Sequence, residues 1–200
     1  MEDQPPVRAL SKLSGRPEDL AGYLSVMPDA ADVARVAVDA PDALQRLCDA
    51  GLPIGAVRLM AHALPPREAV WWACMCADHT APEDLPDADR QARVGAEQWV
   101  RRPNDASRRA AMALAQAAGL ISPEAWTGVG AFWSGGSMAP EGQPAVEPTP
   151  DLCGSAIAGS VLLASVRGDT ARQAGRLLRF LDSGRDIAAG GPGRITQPDD

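Results

Sequence analysis

The sequence predicts an all-α protein, an irregular array of about eight or nine short helices, and three observations lead there. Of its 200 residues 46% are hydrophobic, but only 4% are aromatic, so the core must be built mainly from Ala, Leu, Val and Met. Ala and Leu are strong helix formers, while the β-branched and aromatic residues that favour strands are thin. Pro28, Pro41, Pro53 and Pro66 stand 13, 12 and 13 residues apart, each ahead of an apolar segment. Proline suits the first turn of a helix, where its missing N–H costs nothing.

Taken in order, the segments near 29–38, 41–50, 53–64 and 66–78 read as four short helices in an up-down array. In the third, Ile54, Val57, Ala61 and Leu64 share one face, and Arg58 and His62 fall away from it. Gly51 closes the helix before it. The fourth, with Trp71, Trp72 and Met75, is apolar nearly all round and is expected at the centre. After an acidic loop at 80–87, Ala88, Ala92, Gly95, Ala96 and Trp99 make the inner face of another helix, with Asp89, Arg93 and Glu97 paired on its outside. Asn104 is the expected N-cap of a helix ending at Gly119, and Ser122-Pro123-Glu124 starts the next. Residues 134–148 hold too many Gly and Pro for helix. Helix resumes at Thr149-Pro150-Asp151 and runs to Val166, and Asp169 caps a last helix with Leu177, Leu178 and Leu181 inside. The proline rhythm does not amount to a solenoid, because the units share no side-chain signature. The domain reading is a flexible leader (1–16), one helical domain (17–189) and a flexible tail (190–200).

Charge excludes some functions. Residues 1–100 carry 9 basic and 16 acidic side chains and residues 101–200 carry 10 of each, so the net charge is −7 with no basic footprint for nucleic acid. The acidic N-terminus lacks the apolar core of a signal peptide, and Leu152–Val166 is too short and too interrupted to span a bilayer. The four Cys form no secreted disulfide framework, so reduced thiols in a cytoplasmic protein are expected.

Candidate chemistry is sparse. Cys74, Cys76 and His79 form a metal-like cluster, with Cys48 and His62 as possible further ligands. On one helix Cys74 and Cys76 project in opposed directions, so a tetrahedral site is not expected. Ser134-Gly135-Gly136-Ser137 is no nucleophile elbow, and no phosphate or dinucleotide fingerprint is present. No cofactor, metal or catalytic residue is therefore assigned. Two features suit a protein partner. Trp133, Met138 and Val146 are apolar anchors interleaved with prolines in the segment 133–150, which is expected to be ordered. Arg172, Arg176 and Arg179 line one helical face.

The segments GAVRLMAHALPPREAVWWACMCAD (55–78), GAEQWV (95–100), AFWSGGSMAP (131–140), AIAGSVLLAS (156–165) and RFLDSGRDIAAG (179–190) resemble an uncharacterised family of proteobacterial proteins. The likeness covers most of residues 40–190 and implies no enzymatic activity. Members are often found beside type VI secretion genes, which implies a setting among adaptors and chaperones that load effectors. The expected function is a non-enzymatic, protein-binding accessory module, such as an effector-loading adaptor or co-chaperone. The alternatives are a small enzyme with a motif-less site and a structural subunit of a larger complex.

Overall fold

The computed structural model describes residues 9–196, which hold ten α-helices and, among the described residues, no strand. These are α1 (Pro17–Tyr23), α2 (Pro28–Arg35), α3 (Ala40–Asp49), α4 (Pro53–Ala63) and α5 (Pro66–His79), then α6 (Asp87–Arg101), α7 (Asp105–Ala117), α8 (Pro123–Phe132), α9 (Pro150–Ser165) and α10 (Gln173–Ala188). A 3-10 turn, Thr170–Arg172, leads into α10. The first turns of α1 to α5, α8 and α9 all contain proline, so proline does most of the punctuation. Side-chain caps act on α7 and α8, while α6 and α10 have none. Asn104 and Ser107 form a reciprocal capping box on α7, and Ser122 accepts from the Ala125 N–H at 3.1 Å on α8.

α1 is the element the sequence reading leaves unassigned. Seven residues are too few to hold a helix in water by themselves. Burial of Leu20 and Leu24 against the neighbouring helices supplies what local propensity does not.

The core sits where α4, α5 and α9 meet. α9 packs on α4, α5 and α8, while α10 closes against α4, α5 and α9. The helices α1 to α3 lie on α4, and α6 to α8 form a second group against α5 and α9. α5 is the buried centre through Val70, Trp72, Cys74 and Cys76, and the Trp72 indole N–H donates to the Phe180 carbonyl at 2.7 Å. Trp71 and Met75, expected inside with it, are only half-buried and line an outer cleft. The outward turn of Leu178, which is 61% exposed, follows from the helical period: Leu177, Phe180 and Leu181 take the inner face. On α6, Ala92, Gly95, Ala96 and Trp99 are buried as expected, while Ala88 in the first turn is exposed. Arg93 and Glu97 do not lie on its outside. Glu97 is buried and Arg93 nearly so, and Asp89 is engaged elsewhere, accepting from the Ser122 hydroxyl at 2.5 Å.

Small residues set the helix spacing. A Cβ on Gly128 would fall 2.7 Å from the Ala111 carbonyl oxygen, so α7 and α8 approach backbone to backbone there. A second small cluster, Ala115, Ala125, Val129 and Ala156, fills the space between α7, α8 and α9.

The expected leader and tail extend past the described residues, since 1–8 and 197–200 lie outside them. Within the described parts, the Lys12 N–H donates to the Ala188 carbonyl at 3.0 Å and Lys12 pairs with Glu68 at 3.0 Å. At the other end the Trp71 indole donates to the Pro192 carbonyl at 2.8 Å.

His62 shows how burial changes a titrating group. Its ring stacks on Tyr23 with centroids 4.0 Å apart, and Gly154 leaves room for it on α9. Burial pushes the imidazole down to about 4, helped by Arg58 and opposed by Asp151. The folded chain therefore keeps His62 neutral where the unfolded chain, titrating near 6.5, takes up a proton. Stability is fully present above that value and falls as the pH drops toward about 4. Because the ring is half-exposed, the loss is about 1–2 kcal/mol after solvent screening. Denaturant unfolding of the wild type and of His62→Gln at the two ends of this window will show the variant losing less by that amount. Equal losses would show that His62 does not carry the dependence.

Candidate functional site: an uncharged face along α8 and α9

Residues 110–166 contain no basic side chain, and their only acidic ones are Glu124, Glu141, Glu147 and Asp151. Glu124 is fully buried and pairs with Arg167, so the outer surface of α8 and most of α9 carries no charge. What it presents is apolar. At the α7–α8 turn Gly119 and then Leu120 both adopt positive φ, at 80° and 59°. A leucine in this left-handed region is uncommon and costs on the order of 1 kcal/mol. The turn holds Ile121 out at 80% exposure and fixes the Leu120 carbonyl under the Trp126 indole N–H, at 3.0 Å.

From there the face is continuous. The Trp126 ring lies over Gly159 of α9, where a Cβ would meet it at 3.7 Å. One turn further along α9 come Leu163 and then Val166, both part-exposed. In the other direction Trp126 meets Trp133 edge to face, with centroids 6.5 Å apart. Trp133 is the C-cap of α8 and opens the Pro/Gly-rich segment before the last two helices.

That segment carries no helix, and it is tied at both ends. The Met138 N–H donates to the Val146 carbonyl at 2.7 Å, and the Ser137 hydroxyl accepts from the Ala139 and Val146 N–H groups, both at 3.1 Å. Two arginines of α7 clamp it. Arg108 donates to the Phe132 and Ser137 carbonyls, both at 2.7 Å, and Arg109 to the Ala139 carbonyl at 3.0 Å. The Arg108 guanidinium also lies 4.6 Å from the centre of the Phe132 ring. Asp105 anchors both arginines, and Arg109 and then Arg108 hold its carboxyl below the usual range. Gly136, at φ 67°, brings the backbone against the Arg108 guanidinium, where a Cβ would crowd it at 3.3 Å. The reader of the sequence sees Trp133, Met138 and Val146 as anchors. The structure brings Trp133 and Met138 to half-buried positions and leaves Val146 exposed.

Arg172, in the 3-10 turn, and Arg176 and Arg179, on α10, do not form one exposed face. Arg172 is exposed and Arg179 half-buried, but Arg176 is 4% exposed. Its guanidinium donates to the Ser165 carbonyl at 3.2 Å and to the Arg167 carbonyl, satisfying the C-terminal end of α9. Arg176 is thus removed from the partner-facing set, because orphan carbonyls next to it draw it inward.

The cysteine cluster also separates. Cys74 and Cys76 are fully buried; burial pushes the Cys74 thiol up to about 12 and the Cys76 thiol well above its ordinary value. All four Cys are free thiols, and among the described residues no group of three or more His, Cys, Asp or Glu could hold a metal ion. Among the described residues no helix is long and apolar enough to cross a membrane.

The sequence reading passes over Arg108, Arg109, Leu120, Ile121 and Trp126. The signal for them is the long interval without basic residues between Arg109 and Arg167. No characterised protein and no solved structure matches the chain. Its middle and C-terminal parts do match a known grouping, over residues 43–188, and the chain belongs to the Family of unknown function (DUF6931).

Proposed function

We propose that this chain is a non-enzymatic protein-binding accessory module of the cytoplasm, and that its partner docks on the uncharged face along α8 and α9 together with the clamped 133–147 loop. One observation carries the reading. Ile121, Trp126, Trp133 and Leu163 lie on a surface from which charge has been withdrawn, and exposed Val146 stands on the neighbouring loop, beside Glu147. Depletion of charge around aromatic and aliphatic side chains is what distinguishes the centre of a protein interface from ordinary surface. The rigid clamp on the loop supports the same reading, because a preorganised surface loses less entropy on docking. The resemblance of residues 40–190 to secretion-associated sequences supports a finer statement: the partner is a type VI secretion effector or the adaptor that carries it.

The double variant Met138→Asp, Val146→Asp tests this. Val146 is exposed and Met138 half-buried on a segment without helix, so the helical content should stay near wild type. Co-purification of the partner from the native host should be lost. A variant that stays folded and keeps its partner would remove the loop from the interface.

A further inference from the structure

A second cleft, on the α5–α6 side, has a different chemistry. It encloses about 410 Å³ between Trp71, Met75 and Asp78 of α5, Arg93 and Glu97 of α6, and the segment that follows α10. Arg93 lies in its wall with its side chain 14% exposed. One terminal nitrogen pairs with Asp78 at 2.8 Å and the other with Glu97 at 2.5 Å. Glu97 gives its second oxygen to Arg101 at 2.9 Å. Two carboxylates and two guanidiniums are thereby matched within the cluster. The Arg93 Nε–H is left over: it is buried and has no hydrogen-bond partner. Folded proteins seldom leave a buried donor unmet, and one that is left so marks a place where a further acceptor belongs.

The segment after α10 brings a second unmatched group to the same space. It is fastened at Gly193, whose N–H donates to Asp186 at 2.8 Å and whose carbonyl accepts from the Ser183 hydroxyl at 2.5 Å. Arg194 follows directly and lines the cleft, with no ion-pair partner among the described residues. The Trp71 ring, fixed by its bond to the Pro192 carbonyl, makes an apolar wall with Met75 and Ile195. The space therefore offers the buried Arg93 Nε–H, one surplus positive charge and an apolar wall, with the His79 imidazole also in its lining, in a volume at the small end of ligand sites, about 300–1,000 Å³.

We propose that this cleft binds a small monocarboxylate with an apolar body. Its carboxylate lies between Arg93 Nε and Arg194, and its body lies against Trp71 and Met75. A cation is disfavoured because Asp78 and Glu97 are already engaged. A neutral molecule would leave Arg194 unmatched.

Titration of the full chain with benzoate, phenylacetate and isovalerate tests this, each beside its neutral amide. The Arg93 Nε–H signal in nitrogen-15 NMR is the readout. At least one carboxylate should shift that signal saturably at millimolar concentration or below, and its amide should bind about ten-fold more weakly or worse, the effect of one charge-assisted hydrogen bond. Arg194→Gln should weaken the carboxylate by a similar factor and leave the unfolding midpoint unchanged. The proposal is overturned if no carboxylate saturates the signal, if the amide binds as well, or if Arg194→Gln has no effect.

Discussion

Arg167→Leu will lower the unfolding free energy by about 3–5 kcal/mol, among the largest losses available to a single surface-proximal substitution in this chain. The reason lies in its partner. Glu124 is fully buried in the first turn of α8, and Arg167 meets it with both terminal nitrogens, the first at 2.9 Å and the second at 2.5 Å. Removing the arginine strands a carboxylate in the core, where desolvation costs far more than the lost attraction. The same substitution removes a donor from the Ala77 carbonyl at the end of α5, so three helices lose a common tie. Urea unfolding measures the loss. The double variant Arg167→Leu, Glu124→Leu should recover most of it, because the stranded charge is gone. If the double variant is no more stable than the single, the cost lies in packing and the electrostatic account is wrong.

Arg108→Leu will release the 133–147 loop and lower stability by about 2–4 kcal/mol, the range for losing hydrogen bonds from a charged group to buried acceptors. The Phe132 carbonyl loses its arginine donor, the Ser137 carbonyl keeps only Arg109, at 3.1 Å, and Asp105 likewise keeps only Arg109. The fold should survive, since the core clusters do not include Arg108. Hydrogen exchange localises the change: the Met138 amide, now bonded to the Val146 carbonyl, should exchange at least ten-fold faster, while amides of α4 and α5 change only by the global loss. Partner binding should weaken with loop release, because the surface must then be ordered on docking. Unchanged exchange at Met138 would show that the loop holds itself and that the clamp is incidental.

Much of the fold is legible in the sequence, for an identifiable reason. Proline at the first turn is a local signal, read without knowing any tertiary contact, and it places the starts of α2 to α5, α8 and α9 to within a residue, while α2 ends three residues before its expected end at 38. α1 escapes because its stability comes from Leu20 and Leu24 in the core and not from its own seven residues. Polar side chains drawn inward are the harder case. Arg176, Arg93 and Glu97 look like solvated helix faces in the sequence, and each is buried because a distant carbonyl or charge meets it. Nothing within one helix announces such a partner. The loop anchors Trp133, Met138 and Val146 could be picked out by composition, but their clamp could not. Arg108 and Arg109 lie about two dozen residues away and act on backbone carbonyls, which have no sequence signature. The interval without basic residues between Arg109 and Arg167 is open to reading, and becomes meaningful once α8 and α9 are seen to share a face.

The central claim is that this face is where the partner sits, and the most direct measurement is the mass of the complex formed in the native host. Tagged wild type and the double variant Ile121→Asp, Leu163→Asp would be purified in parallel and weighed by native mass spectrometry. Both positions are exposed, at 80% and 37%, and lie at the turn and on α9 respectively, outside the loop clamp. The account predicts a stoichiometric complex for the wild type and the bare chain for a variant with unchanged helicity and unfolding midpoint. A complex of the same mass in both, or none in the wild type, would contradict it.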